Sequence, residues 1–473
     1  MGLIYGLAVV LVIFVGIIMQ CEGGGLFSSN LEHDTTENEP TAPTDLIELI
    51  LSKTDYKTIK KAVLLKMANE TDIVMSGILQ NCIIQIMSQF DGQILEYYRN
   101  GDLFLRIGVY EELISFFDKF GGQVTKIEIC YLVNVPHNGI YKNLIGKCAK
   151  NLEELRITTD DDTGFWEEIS VGGNVIIFPE VKNVQISGTI WQPTLNLNVI
   201  FPKLEILKLK GIIEDENCLA NLKNLKELTI VTFSIREETF EDIFKNNDNM
   251  TKIHLNEPRR PETVQLIAKY LTKLETLEVR FPRNDFLLRA NNTAVYTLPS
   301  VTHFSISFYI IEEVFQNRNL SFDMPELKKL TIKGHAADEG IINLINHFTK
   351  LENVEILLKE YDAVKFFGKL HHIKEITTIF HAITFDSLKR MFENFDEESK
   401  LQILKFVDFD ESFFKTYKHK MKKINRHLEL SEKSTWALSH GEQIEINQKY
   451  MMFRRVPPKC NSFKEMCLPF QIV

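Results

Sequence analysis

The chain has 473 residues, 44% of them hydrophobic, and its 54 Lys and Arg against 64 Asp and Glu leave a formal charge of −10. That is ample material for a sizeable core, and an acidic balance without a long basic stripe weighs against general nucleic-acid binding. Seven Cys in a chain this long fit a reduced or an oxidising compartment equally well.

The chain opens with an apolar run from Leu3 to Met19, followed by Cys21-Glu22-Gly23-Gly24-Gly25. Its length of about 17 residues lies near that of a signal-peptide core, and the small residues Cys21 and Gly23 suit the positions flanking a cleavage site after Gly23. Six acids and no Lys or Arg lie between Glu22 and Asp45, a flank that favours carrying the rest of the chain across a membrane. Residues 1–23 are therefore read as a signal peptide, or as a signal anchor if uncleaved, in which case they are the one membrane contact. The expected location is secreted or extracellular, with membrane-anchored lumenal repeats or a cytoplasmic protein as alternatives. Six Cys remain beyond the leader, and Cys460 and Cys467 in the Pro-flanked terminus are the best-placed pair for a disulfide. Asn69, Asn249, Asn291 and Asn319 stand in Asn-x-Ser/Thr sequons, the candidate N-glycosylation sites.

Residues 24–44 are rich in Gly, Thr, Glu and Pro and read as a disordered linker. From 45 to 122 the pattern predicts a helical N-terminal cap. Leu46, Leu49 and Ile50 make one stripe, Ile59, Ala62, Val63 and Met67 a second, and Val74, Ile78, Cys82, Ile83 and Met87 a third. Thr44 or Asp45 would cap the first helix, with Glu48 reaching back.

From 123 to 410 a phrase of the form apolar-x-x-apolar-x-apolar recurs about twelve times. It runs from Val124-Ile127-Ile129 through Leu204-Leu207-Leu209, Leu225-Leu228-Ile230, Met250-Ile253-Leu255, Leu274-Leu277-Val279 and Leu327-Leu330-Ile332 to Leu401-Leu404-Phe406. First positions 124 and 401 lie eleven steps apart, so the period is 277/11, or about 25 residues. Each phrase reads as a strand, and helical spacing follows in 238–244, 261–271, 339–348, 362–370 and 385–395. Residues 411–473 carry twelve Lys and Arg against six acids and read as a basic C-terminal cap with a closing strand near 444–456.

Strand side chains alternate, so the residue between the last two apolar positions faces away from the core. That row reads Glu128, Arg156, Gln185, Lys208, Thr229, His254, Glu278, Ser305, Thr331, Glu355, Thr377 and Lys405, polar throughout. With the residues two positions to either side, the central repeats gather Lys208, Lys210, Lys252, His254, Glu278, Arg280, His303, Lys329 and Lys333. These nine are the candidate partner-binding residues of a mildly basic face. No Gly-x-Gly-x-x-Gly, phosphate-binding loop, Gly-x-Ser-x-Gly or His-Glu-x-x-His occurs, so no catalytic residue, cofactor or metal ligand is assigned and no enzymatic activity is expected.

The phrase and its period resemble those of the leucine-rich repeat superfamily. The resemblance implies an α/β solenoid, a curved horseshoe with parallel strands on its concave face and helices on the convex face. It implies a non-enzymatic scaffold that recognises a protein partner through the concave face, and the acidic charge balance argues that the partner is no nucleic acid. The family's Asn or Cys eight residues after the first apolar position is replaced here by Leu132, Asp160, Thr189, Ile212, Phe233, Pro258, Pro282, Tyr309, His335 and Lys359, so its hydrogen-bonded Asn ladder is missing. The helical connectors are similar to those of F-box/leucine-rich repeat proteins, and Pro43 to Ser52 with Tyr56 to Val63 is similar to the opening of an F-box. That second likeness implies an intracellular substrate adaptor of a cullin ubiquitin ligase as the alternative.

Overall fold

Two backbone amides meeting one carbonyl oxygen mark the start of almost every strand in the repeat region. The computed structural model that shows this describes residues 82–87, 94–99, 102–107, 110–131, 140–159, 166, 175–190, 196–213, 215–219, 221–231, 235–256, 261–281, 295–308, 321–336, 339–360, 367, 369–370, 372–379, 390, 400–408, 436–443 and 448–455. The leader, the linker, the first two helical stripes, the F-box-like segment, Cys460, Cys467, Asn69, Asn291 and Asn319 lie outside the described residues.

The chain divides into two units, residues 1–158 with 171–180, and residues 159–170 with 181–473. The first holds β1 (Cys82–Met87), β2 (Ile94–Arg99), β3 (Asp102–Ile107), α1 (Tyr110–Phe120), β4 (Lys126–Tyr131), α2 (Ile140–Cys148) and β5 (Glu154–Thr159). Here one expectation is corrected: the third helical stripe is a strand from Cys82 onward. β1 lies between β3 and β4, parallel to both, while β2 runs antiparallel to β3. The physical reason is burial on both faces. Ile83, Ile84, Gln85 and Ile86 are all at most 2% exposed, and a doubly covered strand shows no period-2 alternation, so its apolar run mimics a buried helix. Three β-branched Ile in four positions favour the strand.

The second unit runs β6 (Asn183–Ile190), α3 (Leu197–Ile200), β7 (Ile206–Ile213), β8 (Glu227–Val231), α4 (Glu237–Asn246), β9 (Lys252–Asn256), α5 (Pro261–Tyr270), β10 (Thr276–Phe281), β11 (Val295–Thr297), β12 (His303–Phe308), β13 (Ser321–Asp323), β14 (Lys329–Ala336), α6 (Glu339–His347), β15 (Asn353–Glu360), β16 (Glu375–Ile379), β17 (Ile403–Asp408), β18 (Trp436–Gln443) and β19 (Gln448–Arg455). From β6 to β17 the strands of the main sheet pair in chain order and in parallel, with β11 and β13 forming a separate short pair. β17 then pairs antiparallel with β19, and β19 with β18. This strand–connector repetition around one parallel sheet is a solenoid-like α/β fold, as expected for leucine-rich-repeat-like phrases.

The second and third apolar positions of each phrase form two buried ladders. Leu207, Leu228, Ile253, Leu277, Phe304, Leu330, Val354, Ile376 and Leu404 stand in register, each at most 1% exposed. Fully burying such a side chain contributes about 2 kcal/mol. The connectors cover this side with Phe240, Ile243 and Phe244 of α4, Val264 and Ile267 of α5, and Ile341, Ile342 and Ile345 of α6. Between α5 and α6 the covering layer is the β11–β13 pair instead, whose Phe322 ring lies 5.0 Å from Phe304 and 5.8 Å from Tyr296.

Register is set at the strand entries. The carbonyls of Lys182, Glu205, Lys226, Thr251, Glu275, Thr302, Lys328, Glu352 and Lys374 each accept two consecutive N–H groups from the next repeat, at 2.7–3.1 Å. Before the clamp, a turn bond joins the first apolar position to the residue three earlier, as in Leu204 to Phe201, Leu274 to Leu271 and Leu327 to Met324. One repeat departs from this. Asn221 and Asn224 take φ of 61° and 67°, and the buried Asn247 carboxamide bridges the two groups of the Leu222–Leu225 turn. Its Oδ1 accepts from the Leu225 amide at 2.7 Å, and its Nδ2 donates to the Leu222 and Ile243 carbonyls. α4 likewise depends on the repeat before it: the buried Glu216 carboxylate accepts the Arg236 amide at 3.0 Å and the Thr239 hydroxyl, supplying the cap that Arg236 lacks.

At the strand exits, Gly211 (φ +132°) lies so close to Gly188 that a Cβ on it would stand 2.1 Å from the Gly188 carbonyl oxygen, which only glycine permits.

Asn247→Ala would strand the Leu225 amide and the Leu222 carbonyl in the core. The expected loss is about 2–4 kcal/mol of unfolding free energy in a denaturant titration. The exposed Asn249→Ala should stay within about 0.5 kcal/mol of wild type.

Candidate functional site

The pairings that order the sheet also order its outward side chains into three rungs. The entry rung reads Asn183, Ile206, Glu227, Lys252, Thr276, His303, Lys329, Asn353, Glu375 and Ile403, and the middle rung Gln185, Lys208, Thr229, His254, Glu278, Ser305, Thr331, Glu355, Thr377 and Lys405. The exit rung reads Ser187, Lys210, Val231, Asn256, Arg280, Ser307, Lys333 and Leu357. All nine candidate residues therefore stand on one face of β7 to β14: Lys252, His303 and Lys329 on the entry rung, Lys208, His254 and Glu278 on the middle one, and Lys210, Arg280 and Lys333 on the exit rung.

Opposite charges bind this face together. Lys252 Nζ lies 3.4 Å from Glu227, and Glu278 stands between His254 Nδ1 and Lys333 Nζ at 3.5 Å from each. Thr331 donates to Glu355 at 3.1 Å. Among the described residues Lys208 and Lys210 form no ion pair, so they present their charge outward.

Burial holds His254 below its ordinary pKa; Lys333, Lys210 and Lys252 press it the same way, and Glu278 opposes them. Burial also lowers His303, aided by Lys329 and Lys328 against Glu275. Both imidazoles are thus held toward the neutral form, and His303 Nδ1 lies 2.8 Å from the Thr302 hydroxyl.

The polar row is not open along its whole length. In the first unit Glu128 is only 3% exposed and accepts from Gln85 Nε2 at 3.0 Å, so the row's first member belongs to a buried hydrogen bond rather than to a surface. Arg156 is held by Glu154 and Asp102, each at 2.7 Å. In the second unit Thr377 and Lys405 keep the row half-exposed to its last strand, while Ile379 and Val407 two positions further on are buried. Within the second unit the other members of the middle row are half-exposed, apart from Thr331, which is 7% exposed.

The sequence pattern placed Asn256 and Ser305 on these rows without marking them. Asn256 Oδ1 and Ser305 Oγ are shielded from solvent and accept or donate no hydrogen bond within the described residues. They flank β10 on either side, next to Glu278 and Arg280. Among the thiols, burial pushes Cys148 up to about 12, and burial with Asp215 and Glu216 pushes Cys218 up to about 12. Neither is a nucleophile at neutral pH.

No family model matches the chain, and no curated protein matches it. Among solved structures it is similar to the crystal structure of a TLR13–ssRNA13 complex, at 12% identity and a TM-score of 0.26 over 61% of this chain. The likeness spans about half of that structure's chain, 54%. The fold rests on the strand pairings above and not on this likeness.

In an NMR titration His254 should lose its proton below pH 6.5. Glu278→Gln, by removing the one opposing field, should move it further down, and Lys333→Gln should move it up. Because the folded-state value is depressed, His254 contributes stability that is present above the unfolded value of about 6.5 and lost as pH falls through the folded one. An unfolding titration carried from pH 8 to 5 should show that loss, smaller in His254→Gln.

Proposed function

We propose that this chain is a non-enzymatic scaffold that holds a protein partner on the outward face of β7 to β15. The observation that carries the proposal is the division of labour across one sheet. Every second side chain is locked into an apolar ladder, and those between them form a mostly polar, in-register surface. Such a surface offers many weakly paired polar groups on a rigid backbone, the arrangement that gives specificity at low ordering cost. The hydrophobic leader and the exposed Asn249 sequon support a secreted or lumenal setting, with the partner met outside the cytosol.

The F-box-like residues 43–63 support a second reading, an intracellular ligase adaptor using the same face for its substrate. The two differ in location. A C-terminally tagged full chain should reach the medium without its leader and shift on glycosidase treatment, a shift reduced in Asn249→Gln. A full-length, unglycosylated cytosolic species favours the adaptor.

For the face itself, a photo-crosslinking side chain is placed at Thr229 or Ser307 on the sheet, and at the exposed Gln265 on α5. The scaffold reading expects discrete adducts with proteins of the producing cell from the two sheet positions only. Adducts solely from Gln265 would contradict it.

A further inference from the structure

The three rungs differ in charge in a way that points to the partner's chemistry. On the entry rung Lys252 and Lys329 stand with Glu227 and Glu375, and on the middle rung Lys208 and Lys405 stand with Glu278 and Glu355, of which Glu278 also reaches across to Lys333 at 3.5 Å. The exit rung carries Lys210, Arg280 and Lys333 and no acid. Three cations thus stand in one line across the sheet. Arg280 lies three strands from Lys210 and two from Lys333, or about 14 Å and about 10 Å at a strand spacing of about 4.8 Å.

We infer that the exit rung seats an extended acidic segment of the protein partner, lying across the strands with carboxylates at Lys210, Arg280 and Lys333. This deepens the scaffold reading and rests on it. An extended chain advances about 3.3 Å per residue, so acids four and then three residues apart reach the three cations in turn. Arg280 suits the middle position because a guanidinium takes a carboxylate through two parallel N–H bonds. The neighbouring Asn256 Oδ1 and Ser305 Oγ supply unused hydrogen-bonding capacity beside it. Leaving such groups shielded and unpaired is costly, and a bound main chain that parts the side chains above them would satisfy both.

Sparse charge also sets the segment apart from a nucleic-acid strand. A phosphate on every nucleotide would meet Glu278 and Glu355 on the adjoining rung as well as the three cations. Three spaced carboxylates meet the three cations and, at Lys333 alone, the neighbouring Glu278.

The test uses the full chain and four fluorescent probes at moderate salt. One is a twelve-residue Gly/Ser/Thr peptide with three Glu spaced by four and three positions. The others are the same composition with the Glu contiguous, the same host with three Lys, and a twelve-nucleotide oligo-dT.

The spaced peptide should bind saturably, move the His254 titration upward, and lose at least about tenfold in affinity in Lys210→Glu/Arg280→Glu/Lys333→Glu. The contiguous peptide should bind more weakly and the Lys peptide not at all. The neutral variant Lys210→Gln/Lys333→Gln, with an unchanged unfolding midpoint, should give an intermediate loss and guards against misfolding of the triple variant. Tighter binding of oligo-dT, or equal binding of the spaced peptide to the triple variant, overturns the inference. If no peptide binds while Thr229 and Ser307 still crosslink, this inference falls and the scaffold stands. If those crosslinks are missing too, both fall.

Discussion

A carbonyl oxygen that accepts two successive amides from the next repeat fixes two residues of that repeat at once. Nine such clamps follow one another from Lys182 to Lys374. With two residues placed, the strand after them can start in only one register. A slip by one residue would turn every Leu, Ile and Val of the ladder outward and every Lys and Glu inward. The clamp and the hydrophobic ladder therefore enforce each other. The clamp costs no particular side chain, which is why residues as different as Lys, Glu and Thr occupy it.

The electrostatic order of the face follows from that register. Glu278 meets both His254 and Lys333 because three parallel strands hold them level or one rung apart. The same alignment puts Lys210, Arg280 and Lys333 on one line, although 70 positions separate the first two and 53 the last two. Side chains on a flexible loop would spend entropy to reach such an arrangement, whereas here the sheet has already done so.

Much of this was legible in the sequence because one rule, strand alternation, acts identically in every repeat. The phrase located the main-sheet strands from β4 to β17, and helical spacing located α4, α5 and α6 to within a residue or two. Other features were out of reach for identifiable reasons. β1 is covered on both faces, so Ile83, Ile84 and Ile86 carry no alternation to distinguish strand from helix. The β11–β13 pair replaces a helix with three-residue strands, too short for any period to show. Glu128 is polar like the rest of its row but buried against Gln85, and nothing local separates a satisfied buried carboxylate from an exposed one. A further regularity was present but unused: the apolar residue three before each phrase, such as Phe201, Leu271, Leu298, Met324 and Phe348, closes the turn before the strand. Asn247 occupies that place in its own repeat, and its carboxamide reaches back to complete the preceding turn.

The repeat-to-repeat backbone clamp is the claim on which the rest depends, and native-state amide hydrogen exchange measures it directly. The paired amides of Glu205 and Ile206, Lys226 and Glu227, Thr251 and Lys252, Glu275 and Thr276, and Thr302 and His303 should be among the slowest in the chain. Both members of each pair should be protected to a similar degree, although the residues themselves lie at the half-exposed edge of the sheet. Exchange of either member at the rate of an exposed turn amide, while the buried ladder stays protected, would contradict the account.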